Sequence, residues 1–260
     1  MALKVEVSER WHRRRYLIPN AVTLGNMFCG FLTIIYAASG RYEKATIAIA
    51  IAILLDGLDG RLARRFNATS KFGVEFDSFS DFISFGIAPA FLIYCWCFRA
   101  LADEFGVIVT FIFALASASR LARFNVAENL PEETVSEPLT TSNFQGLPTP
   151  AAAGVIVASI NFATRVEPSI TLVWIYSFIM VGVAYLMVSN IEFYSIKRLK
   201  FSTMNKPTFI ILGASIALVW YNSAVGFVVL AAAYCLSGPF GLIFRKRKQK
   251  EIVVDAKILK

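Results

Sequence analysis

Long apolar stretches broken by short polar segments run the length of this chain. Residues 168–191 carry no Asp, Glu, Lys or Arg, and neither do residues 207–244. A helix rises about 1.5 Å per residue and a bilayer's hydrocarbon core is about 30 Å thick, so roughly 20 apolar residues make a span. The second run is about two spans long, and Tyr221, Asn222 and Ser223 mark the turn. The pattern predicts eight helical spans, at about 17–38, 45–65, 75–98, 105–124, 149–164, 168–190, 207–222 and 224–244. The fold class expected is therefore an all-α polytopic membrane protein.

Composition supports that picture. The chain is 57% hydrophobic, with a mean hydropathy of +0.60, too apolar for an ordinary soluble domain. With the N-terminus placed in the cytoplasm, 22 Lys and Arg fall in the segments on that side and four (Arg41, Lys44, Arg99 and Arg165) on the other. That bias predicts cytoplasmic N- and C-termini, in the inner membrane. It also accounts for the net charge of +8 through attraction to anionic lipid headgroups, so no nucleic acid is expected as a partner. The charged start and the long first apolar run predict no cleavable signal peptide. Cys29, Cys95, Cys97 and Cys235 lie in apolar stretches and are read as small buried hydrophobes.

The same periodicity divides the chain. A basic segment at 1–16 precedes a six-span unit at 17–190, followed by a basic loop at 191–206, a two-span hairpin at 207–244 and a basic tail at 245–260. The longest polar loop, about 125–148, is acidic at first and ends in Gly and Pro. It reads equally as a solvated linker and as a lid.

Candidate chemistry concentrates in one place. Asp56 and Asp59 are three apart, and Asp77 and Asp81 four apart, so each pair shares one face of a helix. Two helices joined by a short polar loop bring the pairs together. Acids that close either hold a proton or recruit a cation. Oxygen-only ligands suit Mg²⁺ or Mn²⁺, which suit phosphates. Ionisable groups at membrane depth are functional by default, which argues against acids that merely pair with nearby arginines. Gly60 and Ala63 stand one turn beyond Asp56 and Asp59 and leave room for a ligand. Arg64 can pair with phosphate, and Ser70 and Lys71 can donate to phosphate or base. The string RLARRFN at 61–67 returns as RLARFN at 120–125, which reads both as two helix ends obeying the positive-inside bias and as two arginine clusters facing one anion pocket, with at least one arginine of each copy expected to contact substrate. The sole histidine, His12, lies in the basic N-terminal segment, so no His-based nucleophile is available in the spans.

The pattern Asp56-x-x-Asp59-Gly60-x-x-Ala63-Arg64, eight residues, then Gly73-x-x-x-Asp77-x-x-x-Asp81 resembles the signature of the CDP-alcohol phosphotransferase family at every defined position. The resemblance implies a six-helix core carrying two further transmembrane helices, and a homodimer. It implies two divalent cations held by Asp56, Asp59, Asp77 and Asp81, with Asp81 also the catalytic base. It implies nucleotide contacts at Gly60, Arg64 and Ser70, and at the start of the first span, where Pro19-Asn20-Ala21-Val22-Thr23 resembles the family's cytidine-side segment. Asn20, Thr23, Asp56, Gly60, Ala63, Arg64, Ser70 and Lys71 are thus the candidate contacts to CDP-diacylglycerol.

Residues 13–20, 26–30, 120–125 and 146–153 further resemble the branch that uses L-serine as acceptor. A serine carboxylate calls for an arginine, Arg120 or Arg123, and Asn125, Gln145 and Thr149 are candidates to complete the pocket. Two rival readings remain. One is the same transfer to glycerol 3-phosphate or inositol phosphate, which needs a denser basic pocket. The other is a cation transporter, which would spread its acids near mid-membrane across several spans.

Overall fold

The computed structural model describes residues 2–66, 70–128, 144–164, 166–193, 222 and 225–238, with backbone alone at 2–19, 63, 64, 66, 71, 128, 144, 145, 192 and 193. The described chain is a helical bundle. Its elements are α1 (Ala2–Ala38), α2 (Tyr42–Phe66), α3 (Lys71–Asp81), α4 (Ala88–Ile93), α5 (Asp103–Glu128), β1 (Phe144–Gln145), α6 (Thr149–Ala163), α7 (Ile170–Val188) and β2 (Glu192–Phe193). A last helix, α8, spans Val225–Gly238. β1 and β2 are two-residue antiparallel partners that pair Phe144 with Phe193 and Gln145 with Glu192.

Among the described residues, four helical stretches are long and apolar enough to cross a membrane: Asn20–Ala38, Phe72–Phe98, Asp103–Ala127 and Ile170–Val188. α2 has the length, but Asp56, Asp59 and Arg61 dilute its C-terminal half. The predicted spans to residue 190 correspond to α1, α2, the α3–α4 rod, α5, α6 and α7, within a few residues at most ends. Two boundaries differ. α1 continues back to Ala2, and α5 continues to Glu128, so the first residues of the expected 125–148 loop are helical. The predicted span at 207–222 lies outside the described residues apart from Asn222, and α8 supplies part of the one at 224–244.

The bundle is apolar outward and partly polar inward, as a lipid solvent demands. On α1, Leu24, Phe28, Phe31 and Ile35 are exposed, whereas Thr23, Asn26, Gly30, Thr33 and Ala37 are buried. Those buried positions alternate by three and four, which makes one continuous inward seam. α7 shows the same outward grease at Ile170, Trp174, Phe178 and Tyr185.

The segment from Lys71 to Phe98 is one helical rod with two π-helical stretches, Phe82–Ile87 and Tyr94–Phe98. In the first, Ala88 N–H donates to Ile83 O, five residues back. Pro89 follows directly. Proline has no N–H to give, and its ring would press on a carbonyl one turn back. A wider π turn relieves that conflict. Ser70 caps the rod's start, its hydroxyl accepting from Gly73 N at 3.0 Å.

Small residues set how closely helices approach the rod. A Cβ on Gly30 would lie 2.5 Å from Ser84 Oγ and 2.7 Å from Ser84 Cα, so α1 rests directly on the first π turn. A Cβ on Gly86 would lie 2.8 Å from Ser117 Oγ of α5. Further along, Trp96 meets Tyr176 edge to face with centroids 5.1 Å apart, amid fully buried Leu92, Ile93, Phe98, Phe113 and Ile156. The four cysteines are free and buried or half-buried, in keeping with their reading as packing residues.

Candidate active site

α2 ends at Phe66 and α3 begins at Lys71, and each brings two acids to the same place. One carboxylate oxygen from each of Asp56, Asp59 and Asp77 lies within 4.8 Å of the others. The Asp59 and Asp77 carboxyl groups lie within hydrogen-bond reach of each other, and so do those of Asp81 and Asp56. The i, i+3 and i, i+4 spacings are what aim them, because α2 is helical through Phe66 and α3 from Lys71.

α1 braces this cluster from the side. Thr23 Oγ1 donates to Asp59 Oδ2 at 3.2 Å, and Asn26 Nδ2 donates to Asp81 Oδ1 at 3.2 Å. Two serines of the rod return the grip: Ser80 Oγ donates to Thr23 O at 3.1 Å and Ser84 Oγ to Asn26 O at 3.0 Å. Neither Ser80 nor Ser84 has any exposed surface. Hydroxyl-to-carbonyl bonds between helices hold the two elements in register without bulky side chains.

The donor set fits a hard cation. It is all carboxylate oxygen, gathered from two helices, and Asp77 Oδ1 is buried with no hydrogen-bond partner. An orphaned buried carboxylate oxygen is costly unless a cation takes it. Mg²⁺ and Mn²⁺ are the ions such oxygens suit.

The other expected residues fall at various distances from this centre. Asn20, half-buried, stands with its Oδ1 next to Gly73 of α3. Around Gly60 there is open space: a Cβ there would meet nothing within 4 Å. Ala63, Arg64 and Lys71 are helical, and their side chains lie outside the described set, as does that of Gln145. Ser70 is occupied as the α3 cap.

Of the second arginine cluster, Arg120 is the one within electrostatic range of Asp81, and its Nη1 donates to Thr149 Oγ1 at 3.0 Å. Arg123 goes elsewhere, donating to Val188 O at 2.7 Å and Asn190 Oδ1 at 2.8 Å. Asn125 bridges Ser78 Oγ and Glu75 Oε2 on α3.

Thr149 reaches its place through Gly146. That glycine has φ +78°, and a Cβ on it would lie 2.3 Å from Met187 O, so only glycine allows this turn against the end of α7. Asn26, Ser80, Ser84 and Ser117 were not among the sequence candidates. Their signal was available: polar or small residues at three-and-four spacing within apolar runs.

The family model for CDP-alcohol phosphatidyltransferase matches residues 16–163, which run from α1 through α6. The chain is 34% identical over 232 residues to a CDP-diacylglycerol–serine O-phosphatidyltransferase of Helicobacter pylori, covering 88% of this chain and 92% of that protein. It is 31% identical over 182 residues to the Bacillus subtilis protein of that same name, covering 70% and 92%. It is 34% identical over 181 residues to an archaetidylserine synthase of Methanothermobacter thermautotrophicus, covering 68% and 69%.

Proposed function

This chain belongs to the CDP-alcohol phosphatidyltransferase family, and on that premise we propose that it transfers the phosphatidyl group of CDP-diacylglycerol to the hydroxyl of L-serine, giving phosphatidylserine and CMP. One observation carries the reading. Acids from two helices bring carboxylate oxygens within 4.8 Å of each other, in a chain whose relatives over most of its length are named for that transfer.

In this reading Asp56, Asp59, Asp77 and Asp81 would hold two divalent cations, Mg²⁺ or Mn²⁺, which would supply neutralisation of the negative charge on the phosphates. Asp81 takes the proton from the serine hydroxyl as its oxygen bonds to the phosphatidyl phosphorus. The bond from that phosphorus to the CMP oxygen breaks, and CMP leaves with those electrons. Asn26 steadies the Asp81 carboxylate through the 3.2 Å bond, and Thr23 does the same for Asp59. The open side of Gly60 lets the nucleotide approach α2. Asn20, Thr23, Ala63, Arg64, Ser70 and Lys71 are the further donor-side contacts of the proposal, and Arg120 and Thr149 the acceptor-side ones. Arg123 and Asn125, tied to α7 and α3, fit a supporting part better.

The topology proposed with it has eight spans. Residues 17–190 form the catalytic core and 207–244 a hairpin, with the basic stretches 1–16, 191–206 and 245–260 and the active site on the cytoplasmic face of the inner membrane. The 22-to-four distribution of Lys and Arg supports that orientation. The homodimer rests on family resemblance alone.

The test is labelled L-serine and CDP-diacylglycerol with purified protein. Labelled lipid and CMP should form together, stop on chelation and return with Mg²⁺ or Mn²⁺. CMP release that ignores serine but answers to glycerol 3-phosphate would overturn the choice of acceptor.

A further inference from the structure

Buried polar side chains in folded proteins are nearly always hydrogen-bonded, so exceptions that gather in one place point to a ligand. Among the described residues, the buried side-chain atoms without a partner are Asn26 Oδ1, Asp77 Oδ1, Ser117 Oγ and Arg120 Nε. Asp77 belongs to the cation centre. Asn26 bonds to Asp81 through Nδ2, and the Arg120 cation, held by Thr149, lies within electrostatic range of Asp81. Ser117 lies one turn before Arg120 on the same helix, against Gly86 five residues beyond Asp81.

The chemistry of these two orphans is opposite in kind. An ionised carboxylate only accepts, so the Asn26 amide must present its N–H₂ to Asp81, leaving its carbonyl oxygen as a free acceptor. Arg120 spends Nη1 on Thr149 and leaves Nε–H as a free donor on a cation. The proposed base thus has an acceptor on α1 in contact with it and a charged donor on α5 within electrostatic range.

We infer that this is the acceptor subsite, and that it takes a small zwitterion: the ammonium on Asn26 Oδ1 and the carboxylate on Arg120, with the hydroxyl held between them at Asp81. The inference rests on the serine-transfer reading above, which already places Arg120 at the acceptor, and adds to it Asn26 as the second group that selects the substrate. Asn26 here is a positioning and specificity residue that sequence spacing had not singled out. An ammonium suits the Asn26 carbonyl oxygen, which can only accept. A phosphorylated acceptor, with negative charge and no cation, would leave that carbonyl unpaired. Sites built to pair buried polar groups reject analogues that lack the partner far more strongly than apolar pockets reject a missing methylene.

The test uses full-length protein releasing CMP from CDP-diacylglycerol, with serine varied against three analogues. L-Alanine keeps both poles and lacks the hydroxyl; ethanolamine lacks the carboxylate; 3-hydroxypropionate lacks the ammonium. With the unaltered protein, alanine should compete with serine, and the other two should bind more than tenfold more weakly. Arg120→Gln should raise the KM for serine more than tenfold, keep the KM for CDP-diacylglycerol within twofold, and erase the preference for alanine over ethanolamine. Asn26→Leu should erase the preference for alanine over 3-hydroxypropionate. Equal competition by all three analogues in the unaltered protein would overturn the subsite while leaving serine transfer intact, and that result does not depend on any variant folding. CMP release driven by glycerol 3-phosphate and not by serine would overturn both.

Discussion

The two halves of the Lys71–Phe98 rod are buried by different means. From Ser80 to Gly86 the rod is held by hydroxyls and glycines around one fully buried aromatic, Phe85: Ser80 and Ser84 bond to main-chain carbonyls of α1, and Gly30 and Gly86 let α1 and α5 come close. From Ala88 to Phe98 it is held by volume, with Leu92, Ile93, Trp96 and Phe98 filling the centre of the bundle. In lipid neither half gains much from leaving water, since the surroundings are as apolar as the core. What differs is how sharply position is defined. Volume packing tolerates exchange among side chains of similar size, whereas a hydrogen bond and a glycine contact specify distance and direction. The half that must place carboxylates within a few Å is the half built from bonds and glycines.

If that division holds, damage at the two halves should separate activity from stability. The largest effect expected is on chemistry. Asp81→Asn removes the proposed proton acceptor and a carboxylate of the cluster, and a general base alone contributes about 10²–10⁴-fold. CMP release per folded molecule should fall at least about a thousandfold, with thermal unfolding in detergent unchanged or slightly raised because a buried charge is gone. Near-normal activity would remove Asp81 from the mechanism.

The next effect is steric. Gly30→Val puts atoms where Ser84 Cα already stands, 2.7 Å from the first added carbon, and main chain cannot step aside cheaply. Overpacking of this kind costs about 1–3 kcal/mol, and the upper end is expected here. Activity should fall as well, because Ser84 is three residues from Asp81 on the same rod. Leu92→Ala tests the other half. Leucine-to-alanine cavities cost about 2–5 kcal/mol in water-soluble cores. The lower end is expected in this bundle, since the alkane-transfer part is largely missing in lipid. Unfolding in mixed micelles should show the loss, with CMP release per folded molecule unchanged. A Leu92 variant that lost activity while staying folded would break the comparison.

Much of this layout was legible in the sequence, and the exceptions have causes. Long, mostly apolar runs located the helices from α1 to α7, because bilayer thickness sets a length that composition must honour. The acids at 56, 59, 77 and 81 announced their own convergence through helical spacing. The π turn at Phe82–Ile87 was not legible: Pro89 signals a disturbed helix, but whether it kinks, breaks or widens depends on how α1 and α5 press on the rod. Asn26 was missed for a different reason. Its neighbourhood had been noted as a motif, but a polar residue in an apolar run says only that it turns inward. Which carboxylate it meets follows from α1 and the rod lying side by side. Arg120 and Arg123 show the same limit. Three apart on one helix, they look equivalent, yet one lies within electrostatic range of Asp81 and the other bonds to the end of α7.

The smallest effect is the most discriminating about the first half of the rod. Ser84→Ala deletes one hydroxyl-to-carbonyl bond of 3.0 Å to Asn26 O and leaves the rest of the packing in place. Inter-helix hydrogen bonds within membranes average about 0.6 kcal/mol, because the unfolded helices also find partners in lipid. A stability loss near that size is expected, well below that of Leu92→Ala. The effect on function should be out of proportion to it. Ser84 holds the main chain of the residue whose amide touches Asp81, so releasing it loosens the proposed base and the proposed acceptor subsite together. The KM for serine should rise several-fold while the KM for CDP-diacylglycerol stays put. If stability and both KM values moved by trivial amounts, the bond would be incidental, and the rigidity of this half would have to come from its glycines alone.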